Sequence, residues 1–154
     1  MKQPHILIVD DEENLRHMLS VMLDKQGYQV SCAANGEQAL ARLATDSYDY
    51  ILCDIRMPEM DGRQFLQQAV GRGITTPIIM MTAYGAVDTA VACMQDGAYD
   101  FISKPFKQDE IIIVLKKAEE RERLREENRT LRAEVENQNS FCGLVGKNTA
   151  MLAL

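Results

Sequence analysis

Five short apolar bursts, separated by segments of helical spacing, constrain this chain more than any other feature. They fall at Ile6–Val9, Gln29–Ala33, Tyr50–Cys53, Pro77–Met81 and Tyr99–Ile102. Their near-continuous apolar character suits strands covered on both faces. Between them, Leu15, Met18, Leu19, Met22 and Leu23 form one helical stripe, and Ala39, Leu40 and Leu43 form a second. Phe65, Leu66, Ala69 and Val70 give a third, and Ala86, Ala90, Val91 and Met94 a fourth. Gly27, Gly36, Gly73 and Gly97 sit at the joints, where helix ends and turns favour residues tolerant of positive φ. The pattern predicts an α/β fold of five β-α repeats: a doubly wound parallel five-stranded sheet with right-handed crossovers. At 154 residues the chain is long enough to bury such a core without staples.

In a sheet of this kind, functional side chains collect at the carboxyl ends of the strands. Strand one ends at Asp10 and Asp11, followed by Glu12; strand three at Asp54; strand four at Thr82; strand five leads into Lys104-Pro105. Three acids converging on one edge repel one another, and a hard divalent cation such as Mg2+ relieves that repulsion while leaving room for phosphate oxygens. A lysine and a hydroxyl facing them would stabilise an incoming anion, so the set matches the needs of phosphoryl transfer. Asp54, the central acid, is the nucleophile candidate. Taken singly, each residue has an ordinary explanation. Asp10, Asp11 and Glu12 are the acids a helix start favours, Asp54 and Thr82 suit turns and helix starts, and Lys104 suits an exposed turn. Their joint placement at successive strand ends is what points to a site.

These residues stand in the segments Ile-Leu-Ile-Val-Asp10-Asp11-Glu12, Asp54-Ile-Arg-Met57-Pro58-Glu-Met60-Asp61-Gly62, Met-Thr82-Ala83-Tyr84 and Lys104-Pro105-Phe106. From about Lys2 to Leu115 the chain resembles the bacterial two-component response-regulator receiver domain. The resemblance implies a flavodoxin-like sheet of order 2-1-3-4-5 and phosphorylation of Asp54 by a sensor histidine kinase. It implies Mg2+ held by Asp11, Asp54 and the backbone carbonyl of Arg56, with Asp10 acting through water. It further implies that Lys104, Thr82 and the Ala83 amide contact the phosphoryl group, and that the bond before Pro105 is cis. Phe101 matches the family's switch aromatic; Tyr is common there, and Phe has no hydroxyl to donate when it turns inward. A plain core Phe is the alternative. A receiver accepts and loses a phosphoryl group, catalysing its own modification at most, and is otherwise not an enzyme.

A second regime follows. Ile111, Ile112, Val114, Leu115 and Ala118 give a fifth helix a buried face, and residues 119–136 are then charge-dense with no Gly or Pro. Leu124, Asn128, Leu131 and Val135 alternate in steps of four and three, a short heptad seam with a polar register residue. The seam predicts a dimeric coil out of phase with the preceding stripe, and a solvated single helix is the alternative. Residues 140–154 turn apolar again. Gly143-Leu-Val-Gly146-Lys147-Asn148 fails as a phosphate loop, because Phe141 occupies the first glycine position and Asn148 that of the Ser or Thr. A receiver followed by such a helix and this Gly-Lys segment resembles the sigma-54-dependent transcriptional activators. The expected organisation is a receiver at 1–118, a linker at 119–139 and the start of an AAA+ ATPase domain at 140–154. This resemblance implies homodimerisation through the face of the fourth helix, fifth strand and fifth helix, through the linker, or both. Contacts with DNA and sigma-54 polymerase would lie outside this fragment.

Composition trims the remaining classes. A net charge of -6 and a pI near 4.9 argue against a nucleic-acid surface spread over the fold. Cys32, Cys53, Cys93 and Cys142 form no C-x-x-C pair, which disfavours zinc and fits a reducing cytoplasm. The N-terminal apolar run is too short to span a membrane. Two other chemistries compete. A small aspartyl-nucleophile phosphatase would want a second carboxylate two residues after Asp54, where Arg56 stands, and a flavin carrier would want glycines and hydroxyls where Asp10, Asp11 and Glu12 stand. A dimerisation module that signals without phosphate is a third alternative.

Overall fold

A computed structural model describes residues 3–83 and 85–146, with side chains as far as 128. The chain divides into two units, Met1–Ile112 and Ile113–Leu154. In the first, β1 (His5–Val9), β2 (Gln29–Ala33), β3 (Tyr50–Asp54), β4 (Ile78–Thr82) and β5 (Asp100–Ser103) form one parallel sheet in the order β2-β1-β3-β4-β5. The strands are joined by α1 (Glu13–Lys25), α2 (Gly36–Thr45), α3 (Gly62–Gly71) and α4 (Val87–Gln95). The apolar bursts thus mark the strands to within a residue, and the expected α/β sheet and strand order are present.

Alternation sets the two faces of the sheet. Leu7, Val9, Ile51, Cys53 and Met80 join Ala39 and Leu40 of α2, Phe65, Leu66 and Ala69 of α3, and Cys93 of α4 in one buried cluster. Ile6, Ile8, Leu52, Ile79 and Met81 point the other way and are equally buried. The three inner strands are therefore buried almost throughout, with only His5 half-buried, whereas the edge strands β2 and β5 are partly exposed.

The helical stripes are less uniform than their spacing suggests. Leu19, Met22 and Leu23 of α1 are buried, but Met18 is 48% exposed. On α4, Ala90 and Cys93 are buried, while Val87, Val91 and Met94 share an exposed face. Val70 of α3 is also exposed. Of the joint glycines, Gly27, Gly73 and Gly97 do have positive φ. Gly36 does not; it opens α2, and a Cβ there would lie 2.7 Å from the Met60 sulfur, so a larger residue would have to displace that flexible side chain.

The second unit is helical. The helix α5 runs from Gln108 to Gly146, beginning within the first unit and passing residues 118 and 139 without a break. Ile111, Leu115 and Ala118 are buried, and Ile112 and Val114 are half-buried. Farther on, i,i+3 and i,i+4 ion pairs such as Arg123 with Glu127 lace the surface. Leu124 is 50% exposed and Asn128 is exposed, whereas the side chains of Leu131 and Val135, and residues 147–154 of the expected ATPase opening, lie outside the described residues. Among the described residues, no helix is long and apolar enough to cross a membrane.

Candidate functional site

The carboxyl ends of β1 and β3 lie side by side, with Val9 in register with Cys53. The next residue on each chain is an acid, so Asp10 and Asp54 emerge as neighbours. Asp10 is fully buried and Asp54 is 7% exposed. Asp11 is exposed, yet Asp10, Asp11 and Asp54 each bring a carboxylate oxygen within 4.8 Å of the others. Lys104, following the edge strand β5, places its ammonium 3.3 Å from Asp10 Oδ2 and 3.3 Å from Asp54 Oδ1. Thr82 ends β4 almost fully buried, and its carbonyl accepts the Lys104 backbone N–H at 2.7 Å. Its hydroxyl points to the Ile102 carbonyl at 3.4 Å, a long contact that holds it weakly.

Three hydrogen bonds converge on Asp10 in the turn after β1. The Glu12 N–H donates to Asp10 Oδ1 at 2.8 Å, the Asp10 N–H to the Ala33 carbonyl at 3.2 Å, and an Arg16 guanidinium N–H to the Asp10 carbonyl at 2.7 Å. Glu12 itself makes no side-chain cap for α1. The burial of Asp10, bonded at the strand end, is not what helix-start acids need.

The loop after β3 is tight. Met60 N–H donates to the Pro58 carbonyl at 2.8 Å across Glu59, whose φ of 68° makes a strained three-residue turn. Asp61 then caps α3 in a reciprocal box with Gln64, and Gly62 N–H donates to the Ile55 carbonyl at 2.7 Å. A Cβ on Gly62 would fall 2.2 Å from the Asp54 carbonyl oxygen, so only glycine lets α3 approach the acceptor strand. Sequence reasoning gave Asp61 and Gly62 no structural part, although an acid three residues before a Gln is a capping-box signal. Arg56 is exposed; with Asp11, Asp61 and Thr89 it lines an open cleft of about 570 Å³ beside the acids.

Electrostatics follow from this packing. Burial pushes the Asp54 carboxyl up, Asp10 pushes it further, and Lys104 partly offsets both. Burial works against the charge of Lys104, but Asp54 and Asp10 together raise its pKa above the ordinary lysine value. Beneath Asp54, the fully buried Cys53 thiol is pushed well up by burial and by the two aspartates. Three carboxylate donors at the edge of a cleft, sharing a single ammonium, fit a hard divalent cation that keeps several waters. The structure therefore gathers Asp10, Asp11, Asp54 and Lys104, with Thr82 joined to Lys104 through its backbone. The Lys104–Pro105 bond is cis. Phe101 stands apart on β5, 41% exposed.

Sequence and fold comparisons agree with this geometry. The family model of the response regulator receiver domain matches residues 6–116. The chain belongs to the response-regulator receiver family. Among its relatives, the regulatory protein AtoC of Escherichia coli K12 is 40% identical over 147 residues, covering 96% of this chain and 32% of that protein. The C4-dicarboxylate transport transcriptional regulatory protein DctD of Rhizobium meliloti is 37% identical, with 96% and 32% coverage. A crystal structure of NtrX from Brucella abortus superposes with a TM-score of 0.79 at 32% identity, covering 84% of this chain and 30% of NtrX. This receiver-bearing chain thus spans about a third of the length of the curated relatives it matches.

Proposed function

We propose that the chain is a phosphorylation-operated switch in which Asp54 takes a phosphoryl group from the phosphohistidine of a sensor kinase. An Asp54 carboxylate oxygen attacks phosphorus, the P–N bond breaks as the P–O bond forms, and the imidazole leaves with the bonding pair and gains a proton. Asp11, Asp54 and the Arg56 carbonyl would hold Mg2+, with Asp10 acting through water. When bound, that cation supplies charge neutralisation for the transferring group. Lys104, already poised between the two buried acids, exchanges a carboxylate for a phosphoryl oxygen. Thr82, weakly held, and the Ala83 amide complete the anion's contacts. The observation that carries this reading is the convergence of the Asp10, Asp11 and Asp54 carboxylates, with Lys104 3.3 Å from both buried members.

The output is a change of association. The added charge, about -2, draws in Thr82 and Lys104 by charge-assisted hydrogen bonds and biases the α4–β5 surface, with Phe101 turning inward as the reporter. A coupling of about 1–3 kcal/mol suffices for such a bias. Val87, Val91 and Met94, spaced one helical face apart and 66%, 49% and 40% exposed, support this surface as one dimer contact. The seam through Leu124, Asn128, Leu131 and Val135 would be another. The attached output is a sigma-54-dependent transcription activator acting in the cytoplasm, in keeping with the transcriptional regulatory role that the name of DctD carries. DNA and polymerase contacts belong to parts beyond this chain.

The test is intact mass after incubation with Mg2+ and a small-molecule phosphodonor. The native chain should gain one phosphoryl group and Asp54→Asn none. Equal gain by both, or by neither, would overturn the assignment. Scattering of the two states would then read the dimer, and identical association would remove the proposed output.

A further inference from the structure

We infer that Arg16 is a positioning residue for the cation site, holding the β1–α1 turn so that Asp10 and Asp11 meet Asp54; the inference rests on the acceptor-site reading above. Arg16 lies in α1, outside the acid cluster, yet it grips both ends of the turn. Its backbone N–H donates to the Glu12 carbonyl at 3.1 Å, and its guanidinium donates to the Asp10 carbonyl at 2.7 Å. With the Glu12 N–H on Asp10 Oδ1, the residues on either side of Asp11 are fixed. Asp11 is the exposed member of the triad, so the backbone supplies its aim. The Ser20 hydroxyl, one turn on, bonds back to the Arg16 carbonyl at 2.7 Å.

The Asp10 carbonyl lies just past the last β1 residue in register with β2 and β3, where the ladder supplies no further partner. A long side chain reaching back from the first turns of α1 meets that need, and arginine's fork loses little freedom in doing so. Groups that orient the residues holding a metal, without touching it, typically change affinity about 10–100-fold when removed. Charge alone acts in the opposite direction: a guanidinium near a cation site repels the cation, so deleting it would tighten binding. The sign of the change therefore separates positioning from simple electrostatics.

The experiment titrates Mg2+ alone into the full chain by calorimetry, for the native protein, Arg16→Met and Arg16→Lys, with melting curves taken in chelator. The methionine keeps the apolar stem without a donor, and the lysine restores one donor and the charge. The expected result is about tenfold weaker Mg2+ binding for Arg16→Met, recovered to within about threefold by Arg16→Lys. Unchanged or tighter binding by a folded Arg16→Met overturns the inference, even if its melting temperature falls. Should Arg16→Met not fold, Arg16→Gln, whose side chain is two atoms shorter than arginine's, is read by the same criteria. If the native chain itself takes up no Mg2+, it is the acceptor-site reading that fails, and the positioning role with it.

Discussion

β3 ends in one half of an ion pair and β5 leads directly into the other, yet the two strands are built in opposite ways. Every residue of β3 is buried, and it has a neighbour on each side. β5 is an edge of the sheet, with one buried residue, Ile102, and an exposed Phe101. Asp54 is thereby fixed by the most constrained strand, and Lys104 follows the least constrained one. A group that must present a nucleophile benefits from rigidity, whereas one that must re-pair when the charge changes benefits from a shallow local well. The comparison assigns chemistry to the centre of the sheet and response to its edge.

The sharpest way to break that assignment is at Gly62. Gly62→Ala drives a methyl into the Asp54–Ile55 backbone and should cost about 3 kcal/mol or more, read by urea denaturation. A cost under about 1 kcal/mol would mean the end of β3 yields easily. Next, Leu52→Ala in β3 should cost about 3 kcal/mol, and Phe101→Ala in β5 no more than about 1 kcal/mol. Similar costs would erase the contrast between the strands.

The third test concerns charge. Asp54 is raised above its ordinary value, chiefly by burial and then by Asp10, so its contribution to stability is present below the ordinary carboxylate range and is lost as pH rises through the folded value. In chelator at neutral pH, Asp54→Asn should therefore melt above the native chain, and the gap should close on acidification. A lower melting temperature at pH 7 would contradict the electrostatic picture. The smallest effect belongs to the exposed Arg63–Asp96 pair, at 2.6 Å, which joins α3 to the end of α4. Arg63 holds the Asp96 carboxyl below its usual range, so the pair's help exists above that range and fades as pH falls. Arg63→Gln should shift melting less than any substitution above, and less again in high salt.

Much of this was legible from the chain. Apolar bursts with no polar alternation mark strands covered on both faces, and acids directly after two of them mark the site. What escaped was what depends on partners distant in sequence. The stripe through Val91 and Met94 has the spacing of a buried face but nothing over it among the described residues of the first unit. Gly36 and Gly62 look like turn residues, yet Gly36 leaves room for the Met60 side chain and Gly62 is required by the β3 backbone. Arg16 reads as an ordinary helix residue because its partner is a main-chain carbonyl, which leaves no mark in composition.

Cys53 gives the centre of the sheet a clock. Its sulfur is inaccessible and held in the thiol form, one residue before Asp54 and beneath the helices packed on β3, so an alkylating reagent reaches it only when that packing opens. Cys32 lies on the opposite edge strand, half-buried beside the Ser20 hydroxyl. Peptide-resolved labelling rates at the two positions convert a static difference in burial into opening frequencies. The same chemistry then times how often the acceptor strand is uncovered, with and without a phosphoryl group in place.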